Sequence, residues 1–222
     1  MRTKGVGFGS NMRNQKIPWL DGSQSQIGQE SWVAFALDYK RHGFYLEIGA
    51  FNARILSNTL VLETSLGWNG TGVEINQQLA EAYNSERRNK IICADATVLE
   101  YEKELDRINA PNIIDYLQVD IDPPANSYKA LAGVMRGSRQ FRLITFEHDL
   151  YATRFKFIKV NYFWKWKAFL LLRSKGYVCV ASNVANGKFR QEDWYANKSM
   201  NIERLRLPRS IDYRKMFEYC PK

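Results

Sequence analysis

Cysteine and histidine are scarce: the 222-residue chain holds three cysteines and two histidines. Cys93, Cys179 and Cys220 stand apart, with no CxxC pair and no Cys/His cluster. That argues against a disulfide framework and a structural zinc site, and it fits a reducing compartment. Long apolar runs are also missing, and none approaches the roughly 18–20 residues of a membrane span. The opening stretch MRTKGVGFGSNMRNQK lacks the apolar core of a signal peptide. A soluble cytoplasmic protein is therefore expected. No internal repeat or low-complexity tract interrupts the chain. A chain of this length buries roughly 70% of its unfolded surface, so it needs no staple to fold.

Positive charge is plentiful but unevenly placed. There are 32 Lys+Arg against 23 Asp+Glu, a formal net charge of +9. Residues 1–40 carry a net +2, residues 41–110 a net −3 and residues 111–222 a net +10. The excess lies in the second half. Such a patch serves solubility, nucleic acid, an anionic surface or an anionic substrate equally well.

The chain alternates short apolar runs with amphipathic stretches. Residues 1–23 read as an N-terminal arm, and residues 24–222 as one domain. Helical spacing over 25–40 places Ile27, Trp32, Phe35 and Ala36 on one face. Strands are predicted over 44–48, 70–75, 90–94, 113–121, 141–146 and 177–182, with one more near Trp194. Helices are predicted over 54–66, 76–87 (capped by Asn76), 97–108, 126–135, 157–174 and 211–219. This rhythm predicts an α/β fold, a doubly wound and mostly parallel sheet. In such sheets ligands sit at the carboxyl ends of the strands.

Acids mark those ends. Glu47, Glu74, Asp95 and the Asp120/Asp122 pair close the first four strands, and Glu147-His148-Asp149 follows the fifth. Like charges gathered on one sheet edge repel, so stability alone does not favour them. The turn Glu47-Ile48-Gly49-Ala50-Phe51-Asn52 offers a backbone-lined hollow, without the glycines of a dinucleotide GxGxxG. A carboxylate there suits a cationic cofactor. Glu74 is placed to accept two ribose hydroxyls, and Asp95 to accept an adenine amine. Together these roles describe S-adenosylmethionine (SAM).

The same residues carry a family resemblance. Glu47-Ile48-Gly49-Ala50, Ser57-Asn58-Thr59, Leu62-Glu63, Gly67-Trp68-Asn69-Gly70 and Val73-Glu74 resemble the first half of the FkbM-type SAM-dependent methyltransferases. Ser25-Gln26, Gln29-Glu30, Asp115-Tyr116-Leu117, Asp120-Ile121-Asp122 and Phe146-Glu147-His148-Asp149 extend the match over roughly residues 24–195. The resemblance implies a class I methyltransferase fold (Rossmann-like), with seven strands and the last antiparallel. It implies a SAM site made by Glu47, Gly49, Ala50, Asn52, Ser57, Asn58, Glu74, Asp95, Ala96 and Asp120. It also implies O-methylation of a sugar hydroxyl on a glycan or glycolipid precursor. Ala53 stands where the family usually has glycine, and a positive φ there would strain it.

A hydroxyl acceptor must lose a proton. His148 is the first candidate base, because its ordinary pKa is near 6.5. Alternatively Asp122, His148 and Asp149 bind Mg²⁺ and activate the hydroxyl through it. Asp122-Pro123-Pro124-Ala125 resembles the Asp-Pro-Pro-aromatic motif of amino methyltransferases, without its aromatic, and Asp120-x-Asp122 fits the DxD of metal-dependent glycosyltransferases. Between Arg154 and Lys175, seven basic residues alternate with seven aromatics. Some of these aromatics, Phe169 among them, pack on the sheet, and the others can stack on a sugar or base beside a cation. Arg204, Arg206, Arg209 and Arg214 add charge. A nucleic-acid methyltransferase and a non-catalytic binding protein with a degraded SAM turn stay open as alternatives. The charge division favours a small-molecule or glycan acceptor that is itself anionic.

Overall fold

The apolar runs become the strands of one sheet. The computed structural model of the chain describes residues 20–150 and 158–219. Most of the expected arm, residues 1–19, lies outside the described residues, as do Arg154, Phe155, Lys156, Phe157 and Cys220. In chain order the elements are α1 (Gln29–Ala36), β1 (Phe44–Ile48), α2 (Leu60–Leu66), β2 (Asn69–Glu74), α3 (Gln77–Glu86), β3 (Ile92–Cys93) and α4 (Tyr101–Arg107). Then follow β4 (Ile113–Val119), α5 (Pro124–Val134), β5 (Gln140–Glu147), α6 (Ile158–Ser174), β6 (Tyr177–Asn186), β7 (Phe189–Asn197) and α7 (Ile202–Leu205). A 3₁₀ turn (Tyr213–Lys215) and α8 (Met216–Tyr219) end the described chain.

The sheet order is β3-β2-β1-β4-β5-β7-β6. The β1–β2, β1–β4, β2–β3 and β4–β5 pairs are parallel, and β7 runs antiparallel to both β5 and β6. This is the seven-stranded, doubly wound arrangement that the alternating pattern and the resemblance imply. Strands β1 and β4 are buried on both faces, as their near-continuous apolar sequences require. One face packs Tyr45, Tyr116, Leu143 and Trp194 under α1, α2 and the C-terminal segment. The other packs Leu46, Ile48, Leu117, Val119, Ile144 and Phe146 under α4, α5 and α6.

Several expected elements change: the 90–94 strand shortens to Ile92–Cys93, the 97–108 helix begins at Tyr101, the 177–182 strand runs on to Asn186, and three further helices differ. The helix expected over 54–66 begins only at Leu60, because side chains claim the backbone of residues 53–59, as described below. The helix over 25–40 spans only Gln29–Ala36, since Asp38 and Tyr39 take positive φ and break it. The 211–219 helix divides into the 3₁₀ turn and α8. Asn76 caps α3 as expected, its Oδ1 accepting the Leu79 N–H at 3.1 Å. The strand expected to run to 121 ends at Val119, and Pro124 occupies the first turn of α5, where a missing N–H costs nothing.

Beyond α7 the chain returns along the outer edge of β6. Leu207 and Ser210 donate their N–H groups to Val180 O and Ser182 O, and Ala185 N–H donates to Ile211 O. Among the described residues no helix is long and apolar enough to cross a membrane.

Candidate active site

The loop after β1 is shaped by contacts it cannot avoid. Gly49 has φ +83°, and a β-carbon there would overlap the backbone carbonyl of Asp120 and crowd Ile121. Only glycine lets β1 and β4 end this close together. Gly49 and Ala50 both donate N–H bonds to Val73 O, at 3.0 and 3.1 Å. Phe51 follows with φ 49° and donates its N–H to Glu74 Oε2 at 3.0 Å. The other Glu74 oxygen accepts the Asn76 N–H at 2.8 Å. Each carboxylate oxygen thus accepts one backbone bond and keeps one lone pair for a ligand. Asn52 Oδ1 accepts the N–H groups of Arg54 and Ile55, both at 2.9 Å, and closes the loop locally. Ala53 is not among the residues of positive φ. Its methyl group is buried with Ala50, Ala80, Tyr83 and Ile91. The strain anticipated at Ala53 falls instead on Phe51 and Leu56.

A buried arginine holds the next segment. Arg87 Nη1 donates to Ala53 O at 2.9 Å and to Ser57 Oγ at 3.1 Å, and Nη2 donates to Thr59 Oγ1 at 3.2 Å. Its Nε donates to Glu63 Oε2 at 3.0 Å, and both partners of this ion pair are almost fully buried. Ser57 Oγ also accepts the Leu60 N–H and starts α2. Glu47 is fully enclosed: its oxygens accept the Asn58 N–H at 3.1 Å and the Thr59 hydroxyl at 2.7 Å. Burial pushes the Glu47 carboxyl up to about 7. Glu47 and Ser57 therefore build the loop rather than line the cavity beside it. Asn58 does line it, and its Oδ1 is a buried acceptor with no partner among the described residues. A buried acceptor left open is a destabilising feature unless a ligand supplies a donor.

The cavity has a volume of about 370 Å³ and sits at the carboxyl ends of β1, β2, β4 and β5. Gly49, Asn58, Glu74, Asp120, Asp122 and Asp149 line it together, joined by Glu147 and by Gln26 from the segment before α1. Five of these residues are acids, and among the described residues no lysine or arginine lines the cavity. Glu147 is pushed well above the carboxylate range by burial and by Asp120, with which it shares a hydrogen bond. Asp120 is raised by burial as well. Asp149 is pushed up to about 7 by burial and by its contact with Asp122. Behind them Glu192 accepts Gln29 Nε2 and Trp194 Nε1, both at 2.7 Å, and burial raises it to about 8. The cavity is thus a concentration of carboxyl groups short of positive charge, which a cationic ligand would relieve.

Other expected site residues lie elsewhere. Asp95 is exposed beyond β3 and accepts the Thr97 N–H and hydroxyl, which lower its pKa. Ala96 and Ala50 are buried in separate apolar clusters. His148 does not join Asp122 and Asp149. Strand alternation turns it to the α6 face, fully buried, with Nε2 3.4 Å from Asp193 Oδ1 and 3.3 Å from Lys165 Nζ. Burial lowers its pKa below the ordinary histidine value. The expected Asp122/His148/Asp149 trio is therefore not assembled. Among the described residues no three His, Cys, Asp or Glu side chains are grouped to hold a metal ion. Sequence reasoning did not assign Arg87, Glu192, Gln26 or Glu147 to the site. Glu147 had a signal in its position at the end of β5, and Gln26 in the Ser25-Gln26 pair of the resemblance.

No protein-family model matches the sequence, and no curated protein sequence matches it. Solved structures match in fold. A putative O-methyltransferase from Klebsiella pneumoniae is similar with a TM-score of 0.53 at 14% identity, over 76% of this chain and 80% of that one. An O-methyltransferase from Bacillus cereus in complex with SAH is similar with a TM-score of 0.51 at 14% identity, over 81% and 84%. A human methyltransferase 10 domain containing protein is similar with a TM-score of 0.51 at 10% identity, over 76% and 80%. The chain has the Rossmann-like methyltransferase fold.

Proposed function

We propose that the chain is a SAM-dependent methyltransferase acting on a hydroxyl group. Its resemblance to the FkbM-type enzymes favours a sugar hydroxyl on a glycan or glycolipid precursor. The observation that carries the reading is the convergence of Gly49, Glu74 and the unpartnered Asn58 Oδ1 on one cavity rich in carboxylates. The residues fit the cofactor. Asn58 Oδ1 would accept from its ammonium, and the free lone pairs of Glu74 would accept from its ribose. The bare backbone at Gly49 leaves room for its chain, and Asp120 and Glu147 would balance its positive charge. When bound, SAM supplies an electrophilic methyl group on a sulfonium.

The protein's own contribution is placement, counter-charge and a proton acceptor. Aligning two reactants saves roughly 7–11 kcal/mol of barrier. Asp149 takes the base role expected of His148, because it lines the cavity and its pKa of about 7 suits proton uptake near neutrality. Asp122 beside it keeps that pKa raised.

Calorimetric titration with S-adenosylhomocysteine (SAH), followed by labelled-methyl transfer to a panel of glycans and glycolipid precursors, tests the reading. Saturable SAH binding lost in Glu74→Ala and Asn58→Ala, with label on a glycan oxygen, is the expected result. No binding at millimolar SAH would reject a SAM enzyme. Binding with label on nitrogen alone would reject the hydroxyl acceptor.

A further inference from the structure

The two basic runs of the second half meet around a different cavity. It has a volume of about 470 Å³ and lies at the β6 edge, between α6 and residues 206–209. Tyr162, Trp166 and Phe169 supply one wall at helical spacing. Packing on the sheet does not account for all of them. Ala168 and Leu172 make the buried face of α6, while Tyr162 and Trp166 remain 44% and 57% exposed. The Trp166 and Phe169 rings are stacked, with centroids 5.3 Å apart and planes 21° from parallel. Large rings left open to water beside a cavity form a platform.

The cations around this platform differ in kind. Lys165 is spent on the fold, since its Nζ bonds Asp193, Ser182 and Asn183 and approaches His148. Among the described residues Arg206 has only a long contact to Glu203 at 3.6 Å, with both side chains exposed. Such a pair holds little energy and yields to a better anion. Arg209 has no acidic partner among the described residues. Two available guanidinium groups thus face a stacking surface across one cavity. A guanidinium pairs with phosphate through parallel N–H bonds, and a base stacks on an aromatic face whatever its identity.

We propose that this cavity binds a nucleotide, with its base on Trp166 and Tyr162 and its phosphate on Arg206 and Arg209. The proposal does not rest on methyl transfer, and it stands or falls separately from the acid-lined cavity. It is tested on the full chain by calorimetry and tryptophan fluorescence with AMP, UMP, adenosine, ribose 5-phosphate and a short oligouridylate. AMP and UMP are expected to bind and quench fluorescence. Trp166→Ala should weaken AMP by about 10- to 100-fold. Arg206→Ala/Arg209→Ala should weaken AMP and UMP by at least about tenfold and reduce the salt dependence, while leaving adenosine unchanged. Tm and SAH titration of the variants check that the fold persists. A steeper salt dependence and tighter binding of the oligouridylate assign the site to a strand, and equal binding assigns it to a free nucleotide; either supports the proposal. It is overturned if AMP and UMP fail to bind at about 10 mM, if binding survives both sets of substitutions, or if ribose 5-phosphate binds as well as AMP. The last result would mark a sugar-phosphate site.

Discussion

Glu147 and His148 are adjacent in the chain and face opposite sides of the sheet. Glu147 lines the acid cavity, and His148 packs against Lys165 and Asp193 under α6. Their neighbour Asp149 returns to the cavity through a backbone φ of 50°. The two candidate bases therefore separate experimentally. His148→Gln should change SAH affinity by no more than about twofold, because it lies outside the cavity. It should lower stability by about 1–3 kcal/mol through its buried contacts. Asp149→Asn keeps a residue that tolerates positive φ. It should leave SAH affinity in place and reduce turnover by about 10²–10⁴. The wild-type rate should fall as pH drops below about 7, and the substitution should remove that fall. Paired titration and rate measurements check this.

Gly49→Ala should be far more damaging than an alanine elsewhere in the loop. The added carbon meets the Asp120 carbonyl, which is backbone and cannot swing aside, at a φ of +83°. A loss of about 2–4 kcal/mol in urea unfolding is expected, together with loss of SAH binding. Ala53→Gly supplies the contrast. That position already fits a methyl group, so the change should cost about 1 kcal/mol and leave binding nearly unaltered.

Arg87→Lys tests what holds the 53–59 segment. A lysine cannot reach Ala53 O, Ser57, Thr59 and Glu63 at once, as the guanidinium does. Breaking a buried pair of this kind costs about 3–5 kcal/mol when one charge is left alone. Retaining the charge should soften that to about 2–3 kcal/mol in denaturant unfolding. SAH should bind more weakly as well, because Asn58 sits in the loosened segment.

Stability of the ligand-free protein should fall as pH rises from about 4.5 to about 8 and level off above that. The buried carboxyls of Glu47 and Asp149 sit near 7 and that of Glu192 near 8, all above their unfolded values. A raised carboxyl pKa means that the folded state holds the proton more tightly. The stability it contributes is complete below the unfolded pKa and is lost as pH climbs through the folded one. Below about 6.5, buried His148, whose folded pKa is lowered, offsets part of this fall without reversing it. Tm against pH checks the slope, which Asp149→Asn should flatten. SAM, being more cationic than SAH, should bind relatively better as pH rises.

Much of the fold was legible because local pattern and tertiary need agree. The strands are short apolar runs, their ends carry acids or glycine, and Asn76 caps as its sequence position suggests. The segment 53–59 was not legible. Its spacing suits a helix, but Arg87, about thirty residues later, claims its oxygens. No local rule reports so distant a partner. Glu74 and Asp120 could be placed in the site from the strand ends alone. His148 could have been excluded from it: with period two, 147 and 148 cannot share a face. Glu192 was hidden because its strand, β7, was located only by Trp194, without a register to show which residues face the acids.

The return of residues 207–211 along β6 has a consequence for how copies of the chain can meet. The hydrogen-bonding row on that side is partly occupied, by Leu207, Ser210 and Ile211. At the opposite margin β3 contributes just two residues. Both margins of the sheet are blunted against strand addition, the arrangement by which soluble β-structure resists polymerisation. Among the described residues, a continuous intermolecular sheet is disfavoured from either side.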